Sequence, residues 1–154
     1  MTTNSNNRLV DQSAIRVNQS FIIGLLILAF VFSSTPVVAF VAGAMLVGTI
    51  WLKLALFQAI YRNVLKPANL VKPHVIVDNP EPHRFAQGFG GIVVTLGLIA
   101  LLVGQSTIGW ALVWMVIALA ALNLFVGFCA GCFVYYQLNR LGAPGFRYSP
   151  IRQE

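Results

Sequence analysis

Long apolar runs alternate along the chain with short segments that hold nearly all of its charge, and the spacing of the runs predicts four membrane-spanning helices. A hydrocarbon layer of about 30 Å needs roughly twenty helical residues at about 1.5 Å each. The run Phe21 to Phe32 is too short alone. A helix that starts near Asp11, with Ile15, Val17 and Phe21 on its apolar side, spans about residues 16–34 and leaves Arg16 at an interface. Pro36, a good first-turn residue, opens a second span that ends near residue 61. A third span covers about residues 85–103 and a fourth about 110–137, joined by the turn Gly104-Gln105-Ser106-Thr107-Ile108-Gly109.

The connection 62–84 carries Pro67, Pro73, Pro80 and Pro82, which forbid a long regular helix and leave room for a short strand at His74-Val75-Ile76-Val77. The tail from Leu141, with Gly142, Pro144, Gly145 and Pro150, reads as a surface loop. Arg16, the short apolar run and Val37-Val38-Ala39 resemble the three regions of a signal peptide. Cleavage there would cut into the second apolar run, so a span is the better reading.

Composition narrows the class. Of 154 residues 58% are hydrophobic and 9% charged, whereas soluble domains carry about a quarter charged residues. The expectation is one membrane domain over residues 1–154, with no room for a second folded unit. The formal net charge is +6. Apart from Lys53, every Lys and Arg lies in the N-terminal segment, the 62–84 connection or the C-terminal tail. The positive-inside rule then predicts an all-α, four-transmembrane-helix bundle with both termini cytoplasmic. Trp110 and Trp114 would mark the outer boundary, and Tyr61, Tyr135 and Tyr136 the inner one. Basic excess of this kind reads as topology and headgroup contact; no aromatic-basic module suggests nucleic acid.

Gly90, Gly97 and Gly104 recur every seven residues beside Gln87, Val94 and Leu101, and the fourth span offers Ala120, Asn123, Gly127 and Gly131. Small residues allow close helix approach in lipid, so these two spans should pack as a hairpin. Asn123 reads as interhelical glue before it reads as a ligand group.

Cys129 and Cys132 stand three apart near the inner end of the fourth span, about 28 Å and 33 Å along a helix from Trp110. That spacing permits a reversible dithiol. The pair lies toward the C-terminus of the fourth helix, where the dipole disfavours a thiolate, so reactivity needs a cation. Lys53, the one charge inside an apolar span, is a candidate at comparable depth, unless it snorkels to the headgroups. Plain packing of two small thiols beside glycine stays open as well. Zinc held by Cys129, Cys132, His74 and His83 is disfavoured, because both histidines read as surface residues in the connection. Position 133 is Phe, which excludes a c-type haem site, and neither a cofactor motif nor a catalytic triad is present.

Three blocks carry a family resemblance: Val10-Asp11-Gln12 through Arg16-Val17-Asn18-Gln19, then Arg84-Phe85-Ala86-Gln87, and Gly127-Phe128-Cys129-Ala130-Gly131-Cys132. Over about residues 10–137 the chain resembles the bacterial membrane-protein family termed domain of unknown function 4395. Members of that family occur beside, or fused to, thioredoxin-like or rhodanese-like domains. The resemblance therefore implies thiol or sulfane-sulfur chemistry at Cys129 and Cys132, in a bacterial inner membrane, with a separate cytosolic thiol or sulfur-transfer protein as partner. It also raises Arg84, as a charge favouring thiolate or binding an anionic sulfur species, and Gln87, as a hydrogen-bonding residue of the hairpin.

Three functions follow as expectations. The first is a cytoplasm-facing dithiol that exchanges electrons or sulfur with a soluble partner. The second is a non-catalytic subunit of a membrane complex or homo-oligomer, and the third a small transporter of a sulfur-containing anion.

Overall fold

Asp11 sets the start of the first helix. Its backbone is extended and its carboxylate accepts the Ser13 N–H at 3.0 Å, so it caps α1, Gln12–Val31. The computed structural model describes residues 9–50, 60–65, 67–68, 75–77, 80–142 and 144. Immediately before α1, strand β1 (Leu9–Asp11) pairs antiparallel with β2 (Val75–Val77), with Val10 opposite Ile76. The β-branched run in the proline-rich connection thus forms the expected strand; His74 lies outside the described residues.

Helix α2 covers Thr35–Ile50, with Pro36 in its first turn, and a π-helical turn follows at Tyr61–Leu65. Residues 51–59 of the second apolar run, Lys53 included, lie outside the described residues, as does the tail beyond residue 144. Helix α3, Pro80–Leu102, begins earlier than its apolar run. Pro80 and Pro82 fit a first turn because the N–H they lack has no intrahelical partner there. Helix α4 is Ser106–Val126, and α5 is Ala130–Arg140.

The last two helices correct the expected continuous span over 110–137. Gly127 adopts φ 74° and donates its N–H to the Asn123 carbonyl, which ends α4. A left-handed residue at this position is a common helix terminator, and glycine adopts it without steric cost. Among the described residues, Gln12–Val31, Glu81–Leu102 and Ser106–Val126 are long and apolar enough to cross a membrane, while Thr35–Ile50 is a shorter apolar helix.

Helices α2 and α4 pack on α3, and α1 packs on both of them, so the four form a ring with α1 and α3 on opposite sides. The turns after α1 and α3, at residues 32–34 and 103–105, close one end. The ribbon, the start of α3 and helix α5 form the other, charged end. Leu26, Val38, Val41, Val94 and Val113 are fully buried and fill the uncharged half, where Trp110 meets Phe30 edge-on with ring centroids 5.1 Å apart. Leu28, Phe40, Ile92, Leu96 and Phe125 face outward and exposed, the inversion expected where lipid replaces water.

The glycine seams differ from the heptad reading. A Cβ on Gly97 would lie 3.1 Å from the Gly109 carbonyl oxygen, so the α3–α4 approach is a Gly97–Gly109 contact. Gly90 faces Met45 of α2 as well as Val116 of α4. Gly104 and Gly127 pack against nothing within 4 Å of a Cβ; their positive φ makes them turn residues. Gly88 and Gly91, outside the heptad stripe, bring α3 against Thr49 and Leu46 of α2.

A candidate thiol site at the charged end

The break at Gly127 decides the chemistry of the cysteines. Cys129 has extended backbone and occupies the N-cap of α5, where its Sγ accepts the N–H of Cys132 at 3.2 Å. The pair forms a disulfide with a Cα–Cα distance of 5.1 Å. A continuous fourth helix would set these sulfurs near a C-terminus. They sit instead at an N-terminus, where unpaired N–H groups and the dipole favour negative charge on a reduced sulfur. The first turn of α5 rests directly on α3: a Cβ at Gly131 would fall 2.6 Å from the Cα of Ala86. Tyr135, one turn on, is buried with its ring 5.8 Å from Phe85. Cys132 is buried in this contact, and Cys129 is half-buried.

His83, in the first turn of α3, places its Nδ1 3.5 Å from the Cys132 Sγ. This corrects its reading as a surface residue. The overlooked signal is Asn79-Pro80-Glu81-Pro82-His83, in which paired prolines mark a helix start and put His83 on its first turn. The Nδ1 atom and the two sulfurs all lie within 4.8 Å of one another. On reduction this set offers two thiolates and one imidazole to a soft metal ion; as the disulfide it offers only the imidazole.

Behind the sulfurs the ring is hollow. A cavity of about 300 Å³ lies among α1, α2, α3, α4 and the start of α5, with Cys129, His83, Arg84 and Asp11 toward its mouth. From His83 to Val93 it extends roughly 15 Å along α3. Its floor is Ile22, Met45, Val93 and Val116, and its middle tier is Asn18, Gln19, Gln87 and Asn123. Arg84 and Cys129 both line the cavity, and the Arg84 Nη2 donates to the Thr49 carbonyl at 2.7 Å. The Arg84 Nε and the Gln19 Oε1 are buried without a hydrogen-bond partner among the described residues. Gln87 does not make the expected bond to Asn123 or the fourth-helix backbone. Its Nε2 donates instead to the Met45 carbonyl at 3.3 Å, and Asn123 faces the cavity. Lys53, the cation expected beside the sulfurs, lies outside the described residues.

Among known proteins, the family described as domain of unknown function (DUF4395) matches the chain over residues 10–140. No curated protein and no solved structure matches it.

Proposed function

This chain belongs to the DUF4395 family, and from that premise we propose that it is a membrane-embedded thiol–disulfide oxidoreductase that accepts electrons from a soluble dithiol protein on the cytoplasmic side. One observation carries the reading: the Cys129–Cys132 disulfide caps a helix N-terminus at the mouth of an internal cavity, beside His83. Packing alone calls for neither a broken helix nor a histidine beside the buried sulfur.

In the proposed exchange a thiolate of the soluble partner attacks the half-buried Cys129 sulfur. The Cys129–Cys132 bond breaks, a mixed disulfide forms, and the electron pair leaves on Cys132. The first turn of α5 and the adjacent His83 ring stabilise that leaving thiolate, and His83 supplies its proton when charged. The partner's second thiolate then attacks the mixed disulfide. It leaves oxidised partner and reduced Cys129 and Cys132, so two electrons and two protons have crossed. Four spans with the charged end inside the cell fit the charge distribution: Arg16, Arg62, Arg84 and Arg140 gather at that end, while the two turns at the other carry no charge. A bacterial inner membrane is the setting that this charge bias and the family resemblance favour.

The test uses the full chain in inside-out membrane vesicles. With Cys132→Ser, the lone Cys129 should trap a covalent adduct with a soluble thioredoxin-like protein whose resolving cysteine has been removed, visible on a non-reducing gel. The double Cys129→Ser, Cys132→Ser variant should give none. No adduct, together with no alkylation of the reduced wild-type thiols by a membrane-impermeant maleimide in those vesicles, would overturn the proposal. Full cellular activity of a Cys129→Ala, Cys132→Ala variant would turn the reading to a structural subunit.

A further inference from the structure

The proposed exchange leaves the membrane protein reduced, so a second redox partner must restore the disulfide. We infer that this partner is a lipid-soluble quinone whose ring enters the cavity behind Cys129; the inference rests on the exchange reading above.

Size, polarity and position point to that class. An apolar cavity of about 150 Å³ holds one benzene, so about 300 Å³ admits one substituted six-membered ring. The floor is apolar, as a ring face requires. The middle tier is polar, with the side-chain amides of Asn18, Gln19, Gln87 and Asn123, and two of the lining residues carry a buried polar atom that makes no hydrogen bond among the described residues. The buried Arg84 Nε is a donor without an acceptor, and the buried Gln19 Oε1 is an acceptor without a donor, among the described residues. Asn18, also on the wall, is 6% exposed. A guest with an apolar ring face and ring oxygens matches both the floor and the amide tier. A quinone carbonyl accepts from a side-chain amide N–H of the middle tier, and the hydroxyl formed on reduction donates to an amide oxygen there. The cavity lies between helices that face lipid, across the ring from α1 to α3. Its mouth lies at the charged end beside Cys129 and Arg84, where a carrier dissolved in the bilayer can present its ring at the headgroup boundary.

The chemistry balances with the quinone as oxidant. The two S–H bonds of Cys129 and Cys132 break and the S–S bond forms. The released electron pair and two protons convert the quinone to its quinol by making two O–H bonds. Electrons flow in this direction because quinones are stronger oxidants than protein disulfides. His83, 3.5 Å from the Cys132 sulfur, is placed to carry the proton from the more buried thiol. Cys129, which lines the cavity, faces the ring.

The experiment uses the whole protein in lipid nanodiscs, reduced, freed of reductant and mixed with decylubiquinone. Quinol formation is followed by ultraviolet absorbance and thiols are counted by maleimide mass shift. One quinol per chain should form, with saturation in quinone, and both thiols should disappear. Ala120→Phe, which fills the cavity from α4, should slow oxidation by about tenfold or more, equivalent to about 1.4 kcal/mol, while its disulfide still exchanges with the soluble dithiol protein. Gln19→Leu, close in volume, should raise the quinone concentration for half-maximal rate and serves where Ala120→Phe does not fold. The Cys129→Ser, Cys132→Ser variant should bind the quinone saturably without reducing it. If wild-type thiols exchange with the soluble protein but decylubiquinone oxidises them no faster than it oxidises free dithiothreitol in the same nanodiscs, the quinone inference fails and the exchange reading stands. Thiols inert to both partners would overturn both. Equal quinone rates in wild type, Ala120→Phe and Gln19→Leu would place the reaction outside the cavity and overturn the inference alone.

Discussion

Replacing Gly127 by alanine tests whether the helix break makes the thiol site. Gly127 holds φ 74°, a conformation that costs an L-residue with a Cβ about 1–2 kcal/mol. The competing continuous helix meanwhile gains about 0.8–1.0 kcal/mol from exchanging glycine for alanine. Nothing lies within 4 Å of a Cβ there, so no clash confuses the comparison. Together the two effects favour straightening by about 2–3 kcal/mol. In a straight helix Cys129 becomes an interior residue, far from any helix N-terminus. An anion at a helix N-terminus is stabilised by about 0.3–1 kcal/mol or more when partly buried, so losing about 1 kcal/mol lowers the thiolate population about fivefold. The assay is iodoacetamide alkylation of Cys129 at neutral pH, in reduced protein carrying Cys132→Ser. Gly127→Ala should slow it about fivefold. Asparagine tolerates left-handed backbone, so Gly127→Asn should stay within about twofold of the parent. Equal alkylation rates for the parent and the Gly127→Ala variant, with equal thermal unfolding in detergent, would refute the claim that this glycine builds the site.

Other expectations can be checked on the same material. Gly131→Ala sets a Cβ against Ala86 and should cost about 1–3 kcal/mol in thermal unfolding; adding Ala86→Gly should restore only part, because the Ala86 Cα is itself 2.6 Å from the new atom. Arg84→Leu removes the donor to the Thr49 carbonyl and should lower stability by about 1–2 kcal/mol, read by detergent melting. Asp11→Ala removes the α1 cap and should cost about 1 kcal/mol, with faster amide exchange confined to the first turn of α1. His83→Ala should leave the fold intact yet slow reduction of the disulfide by a soluble dithiol, while His83→Gln should recover less than half of that loss if proton transfer, not hydrogen bonding, is its task.

Much of the architecture is legible in the sequence because its signals are local. Asp11 is a strong cap, Pro36 fits a first turn, and Val75-Ile76-Val77 favours a strand; each does what its side chain dictates. The helix break is hidden because hydropathy does not fall there: Phe125, Val126 and Phe128 continue the apolar run across it. Cysteine is also outside the usual capping residues, so Cys129 looks like an interior position. The same oversight reverses the expected dipole at the sulfurs. His83 escapes notice because the apolar run of α3 begins at Phe85, while the helix itself begins at its prolines. Glycines spaced by seven suggest one seam. The real contacts divide between α2 and α4, because α3 touches both neighbours in the ring.

The small ribbon governs how wide the cavity can open. Its first strand runs straight into the cap of α1, and its second ends shortly before α3 starts. It therefore acts as a hasp, tying the start of α1 to the segment that precedes α3 in the chain. A guest that must part these two segments to enter from the headgroup side has first to unfasten three residue pairs.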